Sequence, residues 1–311
     1  MSGVRSARWV VWTERVVAVG GILAVLWAGV TAGDAVVVGH PAYPVLLVAV
    51  LVGAVLVLVF AGRRPVRRKA LRIVLAVLGF VVVALAVWVR PFPAGEVSRE
   101  ALVAGDGVAV TVMPTRIELI PDDAGPVGVL FQPGARVDAR AYAAVLRPLA
   151  EAGYPVVIAQ QPFGIGFLAL GALDEARAAH PEVQSWVLAG HSLGGTVAAL
   201  LADGADSGEP GSAGGLLLFA SYPASDMRTS LGVPAASISG SQDGLSTPAK
   251  IEESRGLLPP STVFTIIEGA SHAQFGDYGP QPGDGIPTIS DAAAREAISD
   301  AALTFLGGVT R

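Results

Sequence analysis

Cysteine is absent from the 311-residue chain. That excludes disulfides, thiolate metal sites and a cysteine nucleophile. Charge is scarce as well: Asp, Glu, Lys and Arg make up 15% of the residues, while 52% are hydrophobic. Soluble domains usually carry about a quarter charged residues. The shortage is uneven. Residues 1–92 hold ten Lys/Arg and only two acids, Glu14 and Asp34, whereas residues 93–311 hold 24 acids and 11 Lys/Arg. Such asymmetry points to a membrane-facing part and a solvated part. The acidic part lacks the clustered cations that phosphate backbones require, which argues against a nucleic-acid partner. There is also no P-loop, no zinc-type His/Cys cluster and no internal repeat.

What is abundant is long apolar sequence. Val16–Gly33 and Val45–Gly62 are uncharged runs of 18 residues, and Ile73–Val89 is one of 17. At 1.5 Å per residue each covers roughly 26–27 Å, close to the hydrocarbon thickness of a bilayer. A backbone in lipid must bond to itself, so three transmembrane helices are expected at about 16–33, 45–62 and 73–89. No charge falls inside these runs, so the segment reads as an anchor rather than a transport path. Trp9, Trp12, Trp27 and Trp88 stand near run ends, where interfacial indoles are favoured. Arg63, Arg64, Arg67, Arg68 and Lys69 crowd the second connection, whereas Asp34–Pro44 has no Lys or Arg. Short basic loops stay in the cytoplasm. The expected topology is a cytoplasmic N-terminus, three crossings, and an extracytoplasmic domain over residues 93–311. The basic loop also suits contact with anionic lipid.

Beyond the breaker-rich Pro91–Gly95, apolar strand-like runs alternate with helical stretches. Strands are expected near 108–113, 116–120, 127–131, 156–160, 186–189, 216–220, 235–239 and 263–267. Helices are expected near 138–152, 173–180, 193–203, 248–256 and 291–306. Several strands are unbroken Val/Ile/Leu runs, as in a parallel sheet buried on both faces. The pattern predicts an α/β three-layer fold with a mostly parallel sheet and a site at the carboxyl ends of its strands.

Gly190-His191-Ser192-Leu193-Gly194 is a G-x-S-x-G pattern between such a strand and a helix. A serine on that turn is lifted toward solvent, and the Leu193 amide at the helix start points where an oxyanion would develop. The serine needs a base and the base an orienter. Of four histidines, His40 lies in the membrane part, His180 reads as a solvated helix end, and His191 flanks the serine. His272, on the loop after the last strand, remains. Asp243, on the turn after strand 235–239, is the expected acid, with Asp226 as the alternative. The order Ser192, Asp243, His272 is that of the α/β-hydrolase fold. A second oxyanion donor is expected after strand 127–131, at the Ala135 amide. Gln161, Phe163 and Tyr222 follow strands and are candidate substrate-pocket walls. Only 14 residues separate Ala220 from Ala235, little room for a helical lid, so an open site is expected. Asp277 and Asp284 sit in a Gly/Pro-rich loop where turn chemistry outweighs a calcium site.

These residues resemble the α/β-hydrolase superfamily over about 115–307, and more narrowly its dienelactone-hydrolase-like branch. The resemblance rests on Phe131–Gly134, Ala150–Pro155, Gly190–Gly195, Gly240–Gly244 and Gly269–Gly276. It departs in two places: Pro133-Gly134 stands where His-Gly is usual, and Ser192 replaces the cysteine of the branch's namesake. It implies acyl transfer from a small or lipid-like ester or thioester to water, with no metal or organic cofactor. A fold-retaining membrane protein without turnover, serving as a binding or assembly partner, is the alternative.

Overall fold

The computed structural model describes residues 2–61, 69–205 and 211–309. Most of the basic loop, and with it the lipid-contact expectation, lies outside them. The chain divides into two compact units, Met1–Pro91 and Phe92–Arg311.

The first unit is built from α1 (Ser2–Val38), α2 (Ala42–Phe60) and α3 (Lys69–Trp88). All three are long and apolar enough to cross a membrane. Their packing uses small residues. Ala18, Ala24, Ala28, Ala32 and Ala35 of α1 are buried, and a Cβ at Gly21 would come within 3.2 Å of both Val50 and Val83. Close backbone approach of this kind is how helices associate where no hydrophobic force separates lipid from side chain.

The helices extend past the uncharged runs. α1 continues through a non-helical Ala32 (φ −150°, ψ 21°) to Val38, so the predicted Asp34–Pro44 connection shrinks to Gly39–Pro41. The extended helices bring in two charges from just outside the uncharged runs. Glu14 of α1 and Arg72 of α3 form a bidentate pair, Nε–Oε1 2.8 Å and Nη2–Oε2 2.6 Å. Arg72 Nη2 donates as well to the terminal carbonyl of Ala61, at 2.8 Å. A fork-shaped guanidinium matched to a carboxylate makes burial of both charges tolerable. Lys69 lies over the Trp9 ring and Arg90 over Trp27, which lets cations at helix ends cover exposed indoles.

The second unit is a three-layer α/β domain. Its strands are β1 (Val108–Val112), β2 (Arg116–Pro121), β3 (Val127–Gln132), β4 (Val156–Ala159), β5 (Ser185–His191), β6 (Ser212–Phe219), β7 (Ala235–Gly240) and β8 (Val263–Ile267). They form one sheet in the order β1-β2-β4-β3-β5-β6-β7-β8. Pairing is antiparallel at β1–β2 and β2–β4 and parallel from β4 through to β8. Every residue of β3 is buried, as its unbroken apolar run requires. Alternate side chains go to opposite faces. Val187 and Ala189 of β5 join a core with α5 (Ala143–Glu151) and α9 (Asp291–Val309), while Trp186 and Leu188 join one with α6 (Ala172–Ala179) and α7 (Leu193–Gly204).

Two further helices are present, α4 (Glu96–Glu100) and α8 (Pro248–Ser254). The predicted helix 138–152 begins as a 3₁₀ turn at Ala139–Tyr142, because the Asp138 carboxylate accepts the Arg140 amide and delays the α-helix to Ala143. α4 was not expected from sequence. At five residues it is too short to show a period, and it is held from outside by Asp277, which accepts the Ser98 amide at 2.8 Å.

Candidate active site

The loops that follow β3, β5, β7 and β8 carry, in turn, Ala135, Ser192, Asp243 and His272. All leave the carboxyl ends of parallel strands, where open α/β sheets leave a crevice. Ser192 has φ 53° and ψ −124°, a left-handed-side conformation that an L-residue holds only when its surroundings over-determine it. Those surroundings are backbone. The Ser192 amide donates to Phe219 O at 3.0 Å, and Ser221 Oγ donates to Ser192 O at 2.6 Å. A Cβ at Gly190 would overlap Gly194, and one at Gly194 would overlap the carbonyl oxygens of Gln132 and Pro133. The glycines of the motif thus allow the serine turn to sit directly against the loop after β3.

His272 and Asp243 are joined at 2.8 Å between Nδ1 and Oδ2, and both are buried. The other carboxylate oxygen accepts the amides of Leu245 and Ser246 at 2.8 and 2.7 Å, so the acid cannot rotate away. The His272 ring lies 4.4 Å, centroid to centroid, from that of His191, the residue preceding Ser192. Among the described residues, neither Nε2 of His272 nor the hydroxyl of Ser192 makes a hydrogen bond. Asp226 is elsewhere. It is exposed and paired with Arg228 at 3.0 Å, whose backbone and side-chain donors hold its carboxyl below the usual range. His180, expected to be solvated, is instead enclosed between Glu118 and Glu182, at 3.1 and 3.2 Å.

The loop after β3 is tied at almost every polar atom. Gly134 N donates to the Tyr142 hydroxyl at 2.9 Å, Arg136 N to Gly164 O at 2.7 Å, and Val137 N to Gly134 O at 3.1 Å. Pro133 O accepts from Gln161 Nε2 at 3.2 Å. Of the amides of residues 134–137, that of Ala135 alone makes no hydrogen bond to the described residues, and the Leu193 amide makes none either. Gln161 is buried, and it also donates to Gln132 Oε1 at 2.9 Å. Its side chain supports the loop after β3. Phe163 and Tyr222 are half-buried on loops after β4 and β6. Phe163 has φ 56°, strained for a bulky residue, which allows Gly164 to pack on the Arg136 backbone. No helix occurs between residues 221 and 234. The expected openness does not extend to His272, which is fully buried.

Sequence reasoning missed Asp284 as a site residue. Its two oxygens accept four amides: Gly244 and His272 at 3.1 Å, Ala273 at 2.8 Å and Gly285 at 2.7 Å. It therefore bridges the turn carrying Asp243 to the loop carrying His272. Partial burial pushes its pKa up, but the four amides together outweigh this and hold it below the usual carboxylate range. A lowered folded-state pKa gives stability that is present above the unfolded value of about 3.9 and is lost as pH falls through the folded one. Asp284→Asn is therefore expected to melt below wild type by a constant margin above about pH 5, with the margin shrinking below about pH 4. Thermal melts across pH check this. Asp277 likewise accepts a backbone amide, that of Ser98 in α4, and no group of three or more His, Asp or Glu suited to a metal occurs among the described residues.

The profile of a family described as "Alpha/beta hydrolase family" matches residues 128–296, more than half of the chain. The chain belongs to that family. Among curated proteins no sequence matches this hydrolase. Similar solved structures include esterase 2 of Thermogutta terrifontis with butyrate bound, at 16% identity, covering 65% of this chain and 94% of that one, TM-score 0.45. A predicted CIB-like hydrolase of Thermoplasma acidophilum is similar at 17% identity over 64% and 99%, TM-score 0.48. An α/β serine hydrolase homologue of Coxiella burnetii is similar at 15% identity over 64% and 98%, TM-score 0.42.

Proposed function

We propose that this α/β hydrolase is a membrane-anchored serine hydrolase, with residues 1–92 as anchor and residues 93–311 as an esterase domain of the dienelactone-hydrolase-like type. The observation that carries the reading is the buried Asp243–His272 contact beside a serine held at φ 53°. Ser192 Oγ attacks the carbonyl carbon of a carboxylic ester or thioester as its proton passes to His272 Nε2. Asp243, fixed by two amides, keeps the Nδ1 proton and offsets the charge of the imidazolium. The amides of Leu193 and Ala135 receive the oxyanion, each contributing on the order of 3–4 kcal/mol. Collapse returns the proton to the leaving alcohol or thiol. Water, deprotonated by His272, then releases the acid and restores Ser192. The substrate is a small or lipid-like ester.

The basic N-terminus, the basic second connection and the lack of Lys or Arg in the first connection support an N-terminus in the cytoplasm and a hydrolase domain outside. One experiment tests both parts. Spheroplasts bearing the C-terminally tagged protein are treated with a fluorophosphonate probe and then with protease. The probe is expected on the peptide containing Ser192, and the tagged domain is expected to be digested from outside. Labelling that persists in Ser192→Ala would refute the site, and full protection from protease would invert the topology.

A further inference from the structure

Two polar side chains lie at the centre of the site without a part in the chemistry above. Tyr142 and His191 are both fully buried, and they meet at 2.8 Å between the phenol oxygen and Nδ1. The phenol oxygen also accepts the Gly134 amide. It has one proton, and only one arrangement serves all three groups: Gly134 N–H donates to the phenol, and the phenol donates to Nδ1. His191 is then the Nε2–H tautomer. Burial holds the phenol protonated, and burial together with the neighbouring His272 holds His191 neutral, so neither group changes charge when His272 does. The approach is close enough to dictate the residue above it. A Cβ at Gly134 would fall 2.7 Å from His191 Nδ1 and 3.0 Å from the phenol oxygen.

Packing alone does not account for the pair. Phe131 contacts the Tyr142 ring at 4.8 Å and Phe275 stacks on His191 at 5.9 Å, so two apolar rings would fill the space without desolvating a hydroxyl and an imidazole. What apolar rings could not do is accept the Gly134 amide. That bond fixes one end of the Pro133–Gly134 peptide, and Gln161 fixes the other through Pro133 O. The next amide along is that of Ala135.

We propose that Tyr142 and His191 are positioning residues, a buried hydrogen-bonded pair that locks the loop after β3 to the serine strand and so pre-sets the Ala135 amide for the oxyanion. The inference rests on the serine-hydrolase reading and deepens it. A donor that is held in place acts mainly on the transition state, because the ground-state carbonyl asks little of it.

The test uses the full-length protein in detergent with p-nitrophenyl butyrate. Tyr142→Phe removes one oxygen and is expected to lower kcat about 10- to 100-fold with KM changed less than about threefold, short of the roughly 10²–10³-fold cost of deleting an oxyanion donor outright. His191→Phe is expected to match it, and the double variant to be no worse than either single one, since both break the same chain of bonds. His191→Gln keeps an acceptor for the phenol and is expected to recover most of the loss. Melting curves establish that each variant is folded. A folded Tyr142→Phe with kcat within twofold of wild type overturns the proposal, as does a His191→Gln variant as slow as His191→Phe. Turnover persisting in Ser192→Ala would instead refute the underlying mechanism, whatever Tyr142→Phe does.

Discussion

Ser192→Ala and His272→Ala are each expected to lower kcat toward p-nitrophenyl butyrate on the order of 10⁴- to 10⁶-fold, and the double variant to be no slower than either single one. The reason is that in the proposed mechanism nucleophile and base act in one step. Without the imidazole, the serine proton has no acceptor, and without the hydroxyl the imidazole has nothing to activate but water. Asp243→Asn should cost on the order of 10⁴-fold by a different route. Oδ1 of Asp243 is committed to the Leu245 and Ser246 amides. An asparagine would keep its oxygen there and turn its NH₂ toward His272 Nδ1. A donor facing Nδ1 forces the proton to Nε2, the atom that has to accept it from the serine. Asp226→Asn, which touches only an exposed ion pair with Arg228, should leave kcat within twofold. The contrast separates the two acids by kinetics. If Asp226→Asn were the damaging change and Asp243→Asn silent, the assignment of the acid would fall.

Much of the second unit was legible in the sequence because its strands are short apolar runs separated by glycine, proline and amphipathic stretches. Each predicted strand corresponds to an observed one, with ends shifted by a few residues; β6 starts four residues early, at Ser212, where Ser-Ala-Gly-Gly carries no strand signal. The three long apolar helices were legible from length and hydropathy, but their ends were not. Counting uncharged residues stops at Arg15 and Arg72, whereas both helices run on through the Glu14–Arg72 pair. A run of sequence does not reveal that two opposite charges 58 positions apart will meet.

In the candidate site, the residues at strand ends could be read because the fold fixes where they emerge. Their supports could not. Asp284 lies in Gln281-Pro282-Gly283-Asp284-Gly285, a stretch with every mark of solvated turn chemistry. Its four amide partners come from three separate segments. Tyr142 looks like an ordinary helix aromatic, and His191 like a motif spacer. Gln161 turns beneath the loop after β3. In each case the partner is chosen by tertiary approach, often where a glycine removes a Cβ, and local pattern carries no trace of it.

Gly194 tests that point most directly. Gly194→Ala is expected to lower kcat by 10²-fold or more, whereas Gly204→Ala in the same helix should leave kcat unchanged and stability equal or up to ~1 kcal/mol higher. Both are helical glycines in α7, and helix propensity favours alanine at both. Their surroundings differ. Nothing lies within 4 Å of a Cβ at Gly204, while at Gly194 the new methyl would overlap the carbonyl oxygens of Gln132 and Pro133. Those atoms are backbone, so no side-chain rotation relieves the overlap. Either α7 or the loop after β3 has to retreat by roughly an ångström, and a displacement of that size can cost about 10²-fold in rate. The loop is tied through Gly134, Pro133 and Arg136, so its retreat would carry the Ala135 amide with it and separate the two oxyanion donors. The expected signature is a fall in kcat larger than the fall in melting temperature explains. A Gly194→Ala enzyme that turned over at the wild-type rate would mean that the serine turn and the loop after β3 do not form one oxyanion site.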